Sequence, residues 1–139
     1  MTVITPHMGE MSRLTGKSIP EILSEPVRAA MDFAREKGII CLLKDHNTVI
    51  SDGSVVYINQ SGNPGMATAG MGDVLAGIVG SLMAGMKKSL KNVQKSDVLL
   101  RAAAGAYLHG CAGDLAAEKI GQYSLMASDV LDKISSVIE

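Results

Sequence analysis

Residues 27–43, VRAAMDFAREKGIICLL, decide the fold. Val27, Ala30, Met31 and Ala34 recur at the helical period, and Gly38 is a natural stop for that helix. Ile39-Ile40-Cys41-Leu42-Leu43 then runs without a polar break, the pattern of a strand buried on both faces. A helix feeding a doubly buried strand predicts an α/β domain. Toward the N-terminus, Ser18-Ile19-Pro20-Glu21 reads as a capping box, and Ser24 restarts the helix with Pro26 in its first turn. Glu10 to Leu14 suits a short helix. Val3-Ile4 is strand-like up to Thr5-Pro6, where the proline is expected to end regular pairing.

Toward the C-terminus, Thr48-Val49-Ile50 and Val55-Val56-Tyr57-Ile58 flank Ser51-Asp52-Gly53-Ser54, and Asp-Gly between two apolar runs predicts a hairpin. Gln60 to Gly65 is a loop by composition. Three helices are expected after it, Asp73 to Gly85, Asp97 to Lys119 and Asp129 to Ile138, with Ser96 and Ser128 capping the last two. Lys87, Lys88, Lys91 and Lys95 read as a solvated connection. The whole chain, residues 1–139, is expected to form a single partial domain of three-layer α/β type. Ile39 to Leu43 should lie centrally in its sheet and the hairpin at one side, with the helix near Asp73 aiming its N-terminus at a binding cleft.

Composition narrows the function. The 139 residues carry 13 Lys+Arg against 14 Asp+Glu, a formal net charge of −1, and are 47% hydrophobic, so they can bury a core without disulfides. This balance lacks the basic footprint that duplex nucleic acid or an anionic membrane demands. With 3 Tyr, 1 Phe and no Trp there is little for base stacking either. Val74 to Met86 is too short and glycine-rich to span a bilayer, and Met1-Thr2-Val3-Ile4 has no basic leader, so a cytoplasmic setting is expected. Cys41 and Cys111 read as buried free thiols. His7, His46 and His109 do not form metal-ligand spacing, so no protein metal site is expected. His109 lies between Gly105 and Gly113 on a face with Ala102, Ala106, Ala112 and Ala116, which suits close helix packing, and Met83 and Met86 read as packing residues.

The chemistry concentrates where Gly62, Gly65, Gly70 and Gly72 precede a helix opening with Asp73. Free N–H groups and the positive dipole end make such a start an anion site, and Gly70, Met71 and Gly72 would supply the amides. Gly70-Met71-Gly72-Asp73-Val74-Leu75-Ala76-Gly77 fails the dinucleotide fingerprint, because Leu75 occupies the third glycine's place, and no Walker lysine is present. Asp73 either stabilises the helix dipole, for about 0.3–1 kcal/mol, or accepts a proton from a substrate hydroxyl that attacks phosphorus.

Three stretches carry a resemblance: Thr5-Pro6-His7-Met8-Gly9-Glu10, then Gly62 to Gly77 through Gly70-Met71-Gly72-Asp73, then Tyr107-Leu108-His109-Gly110-Cys111-Ala112-Gly113-Asp114. In that order they resemble the ADP/ATP-dependent NAD(P)H-hydrate dehydratases of the ribokinase-like superfamily. The likeness covers essentially all of this chain but only about the C-terminal half of the family's domain. It implies phosphorylation of the nicotinamide-ring hydroxyl of NADH or NADPH hydrate by ADP or ATP, with Mg²⁺, and elimination of phosphate. By the same resemblance Asp73 is the catalytic base and a substrate contact, and His7 is a second substrate contact. Lys44, Asp45, His46, Asn47, Thr48 and Gly72 match positions that hold the adenine nucleotide. The family usually has Lys-Gly in place of Lys44-Asp45, so Asp45 brings a carboxylate near a polyphosphate. It also has Gly-Thr-Gly-Asp in place of Gly70-Met71-Gly72-Asp73, which costs a hydroxyl and keeps the amides.

Two other readings accompany this one. A small-molecule kinase of the same superfamily would use the same glycine turn and aspartate, although the Thr5 to Glu10 motif favours the dehydratase. A non-catalytic fragment would depend on an N-terminal half or on self-association. Separately, the family resemblance implies homo-oligomers, and the absent half-sheet is expected to leave apolar surface for a second copy to cover, so a homo-oligomer of at least two copies is expected.

Overall fold

The computed structural model describes residues 1–89 and 92–138. The chain forms two compact units, Met1–Asn59 with Asn92–Ala103, and Gln60–Lys91 with Ala104–Glu139.

The first unit is built on a four-stranded mixed sheet in the order β1 (Val3–Ile4), β2 (Ile40–Leu43), β3 (Thr48–Ser51), β4 (Val56–Asn59). β1 pairs parallel with β2, Val3 opposite Ile40, and the other two pairings are antiparallel, with Leu42 opposite Ile50 and Ile50 opposite Tyr57. Every residue of β2 is buried, as its unbroken apolar run predicts, and the hairpin lies to one side of it. The predicted end of pairing at Pro6 is only partly correct. Proline lacks a donor but keeps its carbonyl, which accepts the Lys44 N–H at 2.8 Å, and one further parallel bridge joins His7 to Lys44.

Helices α1 (Met8–Thr15), α2 (Ile19–Ser24) and α3 (Pro26–Lys37) precede β2. Ser18 caps α2 through the expected capping box. Ser24 does not cap α3. Its hydroxyl donates to the Glu21 carbonyl at 2.7 Å, and Glu25, kept out of the helical region by the following proline, is the cap residue. α3 turns Ala29, Ala30, Phe33 and Ala34 into a core with Met11, Ile22, Cys41, Leu43 and Val49. Each large side chain buried there contributes roughly 1.5–3 kcal/mol. The Asp52-Gly53 turn is clamped by two cations: Arg35 Nη2 donates to the Gly53 carbonyl at 2.8 Å and Lys95 Nζ to the Asp52 carbonyl at 2.6 Å.

Three helices follow, α4 (Met71–Ser89), α5 (Lys95–Ile120) and α6 (Ala127–Leu131). Each starts earlier than the sequence suggested, and the reason is common to α5 and α6. Ser96 and Ser128 lie inside the helices, because the residues that satisfy the starts are aspartates three positions in. Asp97 Oδ2 accepts the Gln94 N–H and Asp129 Oδ2 the Met126 N–H, both at 2.8 Å. α4 continues past Gly85, so the backbone of Lys87 and Lys88 is helical rather than a connection, and Lys95 begins α5. Lys91 falls outside the described residues. The third predicted helix is shorter than Asp129 to Ile138, since α6 ends at Leu131 and Ile134–Val137 form a 3-10 turn. The second unit's core joins Met71 and Val74 of α4 to Ala112 and Ala116 of α5, with Leu125 and Val130. Among the described residues no helix is long and apolar enough to cross a membrane.

Candidate functional site

In the first unit the predicted residues gather where ligands of parallel sheets collect, beyond the carboxyl ends of β1 and β2. His7 is the N-cap of α1. Its Nδ1 accepts the N–H groups of Gly9 at 3.0 Å and Glu10 at 3.2 Å, while Glu10 Oε2 accepts the His7 N–H at 2.7 Å. This is a capping box with an imidazole where serine or threonine usually stands. With Nδ1 acting as an acceptor, the hydrogen-bond pattern assigns the neutral ring's proton to Nε2. Nε2 lies 3.6 Å from Glu10 Oε1 on a side chain 54% exposed, open to a ligand. The His7 backbone N–H holds the Glu10 carboxyl below its usual range, helped by the charges of Lys44 and Arg13. Lys44 Nζ stands 3.9 Å from Glu10 Oε2. Lys44 to Asn47 form the turn from β2 into β3, with Asp45, His46 and Asn47 exposed. Thr48 Oγ1 reaches back to the Asp45 carbonyl at 3.4 Å.

In the second unit, residues 70–73 form the first turn of α4. Gly70 adopts φ +84°, a left-handed conformation that side chains rarely take, and its carbonyl accepts the N–H groups of Asp73 and Val74, both at 3.1 Å. The Met71 N–H turns back to the Thr68 carbonyl at 3.4 Å and the Met71 side chain is buried. Of the three predicted anion-hole amides, Met71 is therefore spent on the turn. The N–H groups of Gly70 and Gly72 make no hydrogen bond among the described residues. Asp73 is exposed on the same turn.

What fixes the glycine loop leading into this turn was not read from the sequence. Asp114 on α5 accepts the Gly62 N–H at 2.8 Å through Oδ2 and the Asn63 side-chain amide at 2.9 Å through Oδ1. Asn63 Oδ1 in turn accepts the Gly65 N–H at 3.1 Å. The loop lies so close to α5 that a Cβ on Gly110 would come within 2.6 Å of the Ser61 carbonyl oxygen. The signal was present, since Gly110 and Asp114 both fall in the third resembling stretch. A glycine-rich loop with an Asn needs an external acceptor.

His109, read as a packing residue, lies half-buried on the same helix. Burial pushes its pKa down to about 4, opposed in part by a hydrogen-bonding contact with the Met71 backbone. Its Nε2 is buried and has no hydrogen-bond partner. Both cysteines are free, Cys41 buried with its thiol pushed up to about 12, and Cys111 only half-buried. Among the described residues no three His, Cys, Asp or Glu side chains group to hold a metal ion.

The profile of NAD(P)H-hydrate dehydratases matches residues 1–136. The chain is 48% identical over 139 residues to a bifunctional NAD(P)H-hydrate repair enzyme of Moorella thermoacetica, covering 98% of this chain and 24% of that protein. It is 35% identical to an ADP-dependent (S)-NAD(P)H-hydrate dehydratase of Nitrosopumilus maritimus, covering 99% and 44%. Among solved structures, an ADP/ATP-dependent NAD(P)H-hydrate dehydratase from Bacillus subtilis, co-crystallised with ATP/Mg²⁺ and soaked with CoA, superposes with a TM-score of 0.83. The two are 26% identical, over 98% of this chain and 47% of that one. The chain thus spans from about a quarter to just under half of the length of these proteins.

Proposed function

This chain belongs to the NAD(P)H-hydrate dehydratase family, and from that premise we propose that it takes part in nucleotide-dependent dehydration of hydrated NADH or NADPH. The observation that carries the reading is the uncapped first turn of α4, where the unbonded Gly72 N–H and the exposed Asp73 carboxylate share one helical turn. Asp73 accepts the proton of the ring hydroxyl as its oxygen attacks the terminal phosphorus of ADP or ATP. The Gly72 and Gly70 amides hold the charge that develops on phosphorus-bound oxygens. The ring nitrogen's lone pair then expels phosphate, and loss of a proton from the neighbouring ring carbon restores the double bond. Balanced over both steps, the hydrate and ATP give the reduced cofactor, ADP and phosphate.

His7 supports the substrate reading through its Nε2–H, which the cap holds as a donor. Lys44 and the exposed Asp45, His46 and Asn47, with Thr48, are assigned to the adenine nucleotide. Magnesium suits this donor set only as a passenger on the nucleotide. It is commonly held by phosphates with one or two carboxylates, and no three-ligand cluster exists among the described residues. The buried Cys41 thiol fits a reducing, cytoplasmic setting.

The test follows recovery of NADH absorbance after NADH hydrate is mixed with this chain and ADP or ATP, beside a full-length relative as control. Recovery with either nucleotide is the expected result. Accumulation of a phosphorylated product with no recovery would favour the small-molecule kinase instead. No reaction beside an active control would overturn catalysis by this chain alone.

A further inference from the structure

The Asp114 carboxylate takes no part in the proposed chemistry, yet both of its oxygens are committed to the loop that leads into the first turn of α4. Oδ2 accepts the Gly62 N–H at 2.8 Å, Oδ1 accepts Asn63 Nδ2 at 2.9 Å, and Asn63 Oδ1 accepts the Gly65 N–H at 3.1 Å. These bonds run in one direction only. A carboxylate accepts and does not donate, so the Asn63 amide must turn its NH₂ to Asp114 and its oxygen to Gly65. Glycines complete the seat. A Cβ on Gly110 would meet Ser61, one on Gly113 would strike the Met66 sulfur, and one on Gly65 would come within 2.5 Å of the Gln122 carbonyl oxygen.

The same two turns of α5 also seat the helix that follows the loop. Ala112 and Ala116 share a core with Met71 and Val74, so residues 110–116 carry both the entry to the loop and the start of α4. Tight turns relay the placement of Asn63 along the chain: Met66 N–H donates to the Asn63 carbonyl at 3.0 Å, Ala67 N–H to Pro64 at 3.1 Å and Met71 N–H to Thr68 at 3.4 Å. We propose that Asp114 is a positioning residue for the phosphoryl-transfer turn: through Gly62 and Asn63 it sets the course of residues 62–70, and with it the direction of the Gly72 N–H and the place of the Asp73 carboxylate. This rests on reading that turn as the phosphate end of the dehydratase reaction. Misdirection of an oxyanion donor is felt mainly in the transition state, so Asp114 bears on turnover more than on nucleotide affinity.

The experiment is a swap. Asp114→Asn puts an amide donor where Gly62 and Asn63 both need an acceptor, and Asn63→Asp sets two carboxylates face to face. In the double variant the new amide at position 114 offers its oxygen to Gly62 and its NH₂ to the new carboxylate at position 63. That carboxylate still accepts the Gly65 N–H, so all three bonds return. Turnover is expected to fall about 10–100-fold in each single variant with KM for ADP within about 3-fold, and to return to within about 3-fold of the parent in the double variant. Parental turnover in either single variant, or a double variant no better than the worse single one, overturns the proposal. A second readout needs no catalysis: inorganic phosphate, which the other nucleotide contacts do not hold, titrated against the Gly72 amide resonance. A displaced Gly72 resonance and weaker phosphate binding in both single variants, with recovery in the double variant, support the proposal. Parental resonance and affinity in folded single variants overturn it even where their urea midpoints fall, because Asp114 is then a structural tie alone. Tighter binding in Asp114→Asn with weaker binding in Asn63→Asp overturns it as well, since charge alone gives that order. If the single variants do not fold, Asn63→Ala, which keeps the Gly62 bond, decides: a displaced Gly72 resonance with weaker phosphate binding supports the proposal, and parental behaviour overturns it. An inactive parent whose Gly72 amide still follows the swap refutes the dehydratase reading and leaves the positioning role standing.

Discussion

Helices α1 and α4 begin in opposite ways. At α1 the side chains close the start on themselves, since His7 takes two backbone N–H groups and Glu10 returns to the His7 N–H. At α4 the residue before the first turn is Gly70, which has no side chain to cap with, and the Gly72 N–H is left unbonded. Every helix start leaves donors that need acceptors. A start that its own side chains satisfy is a structural joint, while one left open beside an exposed carboxylate can bind an anion and act on it. The comparison separates two residues that motif reading treats alike: Asp73 has no structural duty in the described contacts, and His7 has one whatever it binds.

The largest effect is expected at the open start. Asp73→Asn should lower turnover by about 10²–10⁴, the range for losing a positioned proton acceptor, while nucleotide affinity stays near parental. Steady-state kinetics with ADP, beside equilibrium binding, check this. Parental turnover would reduce Asp73 to a dipole residue and erase the functional half of the contrast.

At the closed start, structural and ligand roles can be pulled apart with two substitutions. Asparagine is among the best N-caps and has no Nε2–H, so His7→Asn should unfold at nearly the parental denaturant concentration and still bind hydrate more weakly. His7→Ala removes the cap as well and should cost about 0.5–2 kcal/mol in urea unfolding. If His7→Asn binds and turns over like the parent, His7 is a cap alone.

Much of this was legible in the sequence, and the misses have physical causes. The buried run read as Ile39 to Leu43, the Asp52-Gly53 hairpin and the Ser18 box are local signals, each decided within a few residues, and the structure forms all three, with the strand starting one residue later, at Ile40. The starts of α5 and α6 were misplaced because serine and aspartate compete to satisfy a helix start, and here Asp97 and Asp129 win by reaching back. The Gly70 to Asp73 turn was visible as a helix start with open amides. Asp114 was not, because its partners Gly62 and Asn63 are about fifty positions away and spacing says nothing about such pairs.

The smallest effect sharpens the comparison through pH. The Glu10 carboxyl is held below its ordinary value of 4.5, first by the hydrogen bond from the His7 backbone. The folded protein therefore binds this proton less readily than the unfolded chain. The resulting stability is fully present above the unfolded value and drains away as pH falls through the lowered one. Because the side chain is 44% exposed, solvent screening keeps the contribution small, roughly 0.5 kcal/mol. Bulk unfolding would hardly register it, so the measurement is local: the Glu10 carboxyl carbon and the His7 amide proton should titrate together, with a midpoint below 4.5. As Glu10 protonates, the His7 N–H loses its charged acceptor and its exchange with solvent should quicken, so that α1 takes on the open character of α4. No comparable step is expected at the Gly72 amide through the Glu10 proton, since no carboxylate caps it. A Glu10 midpoint at or above 4.5, or a His7 amide indifferent to it, would mean that the closed start is held by the imidazole alone.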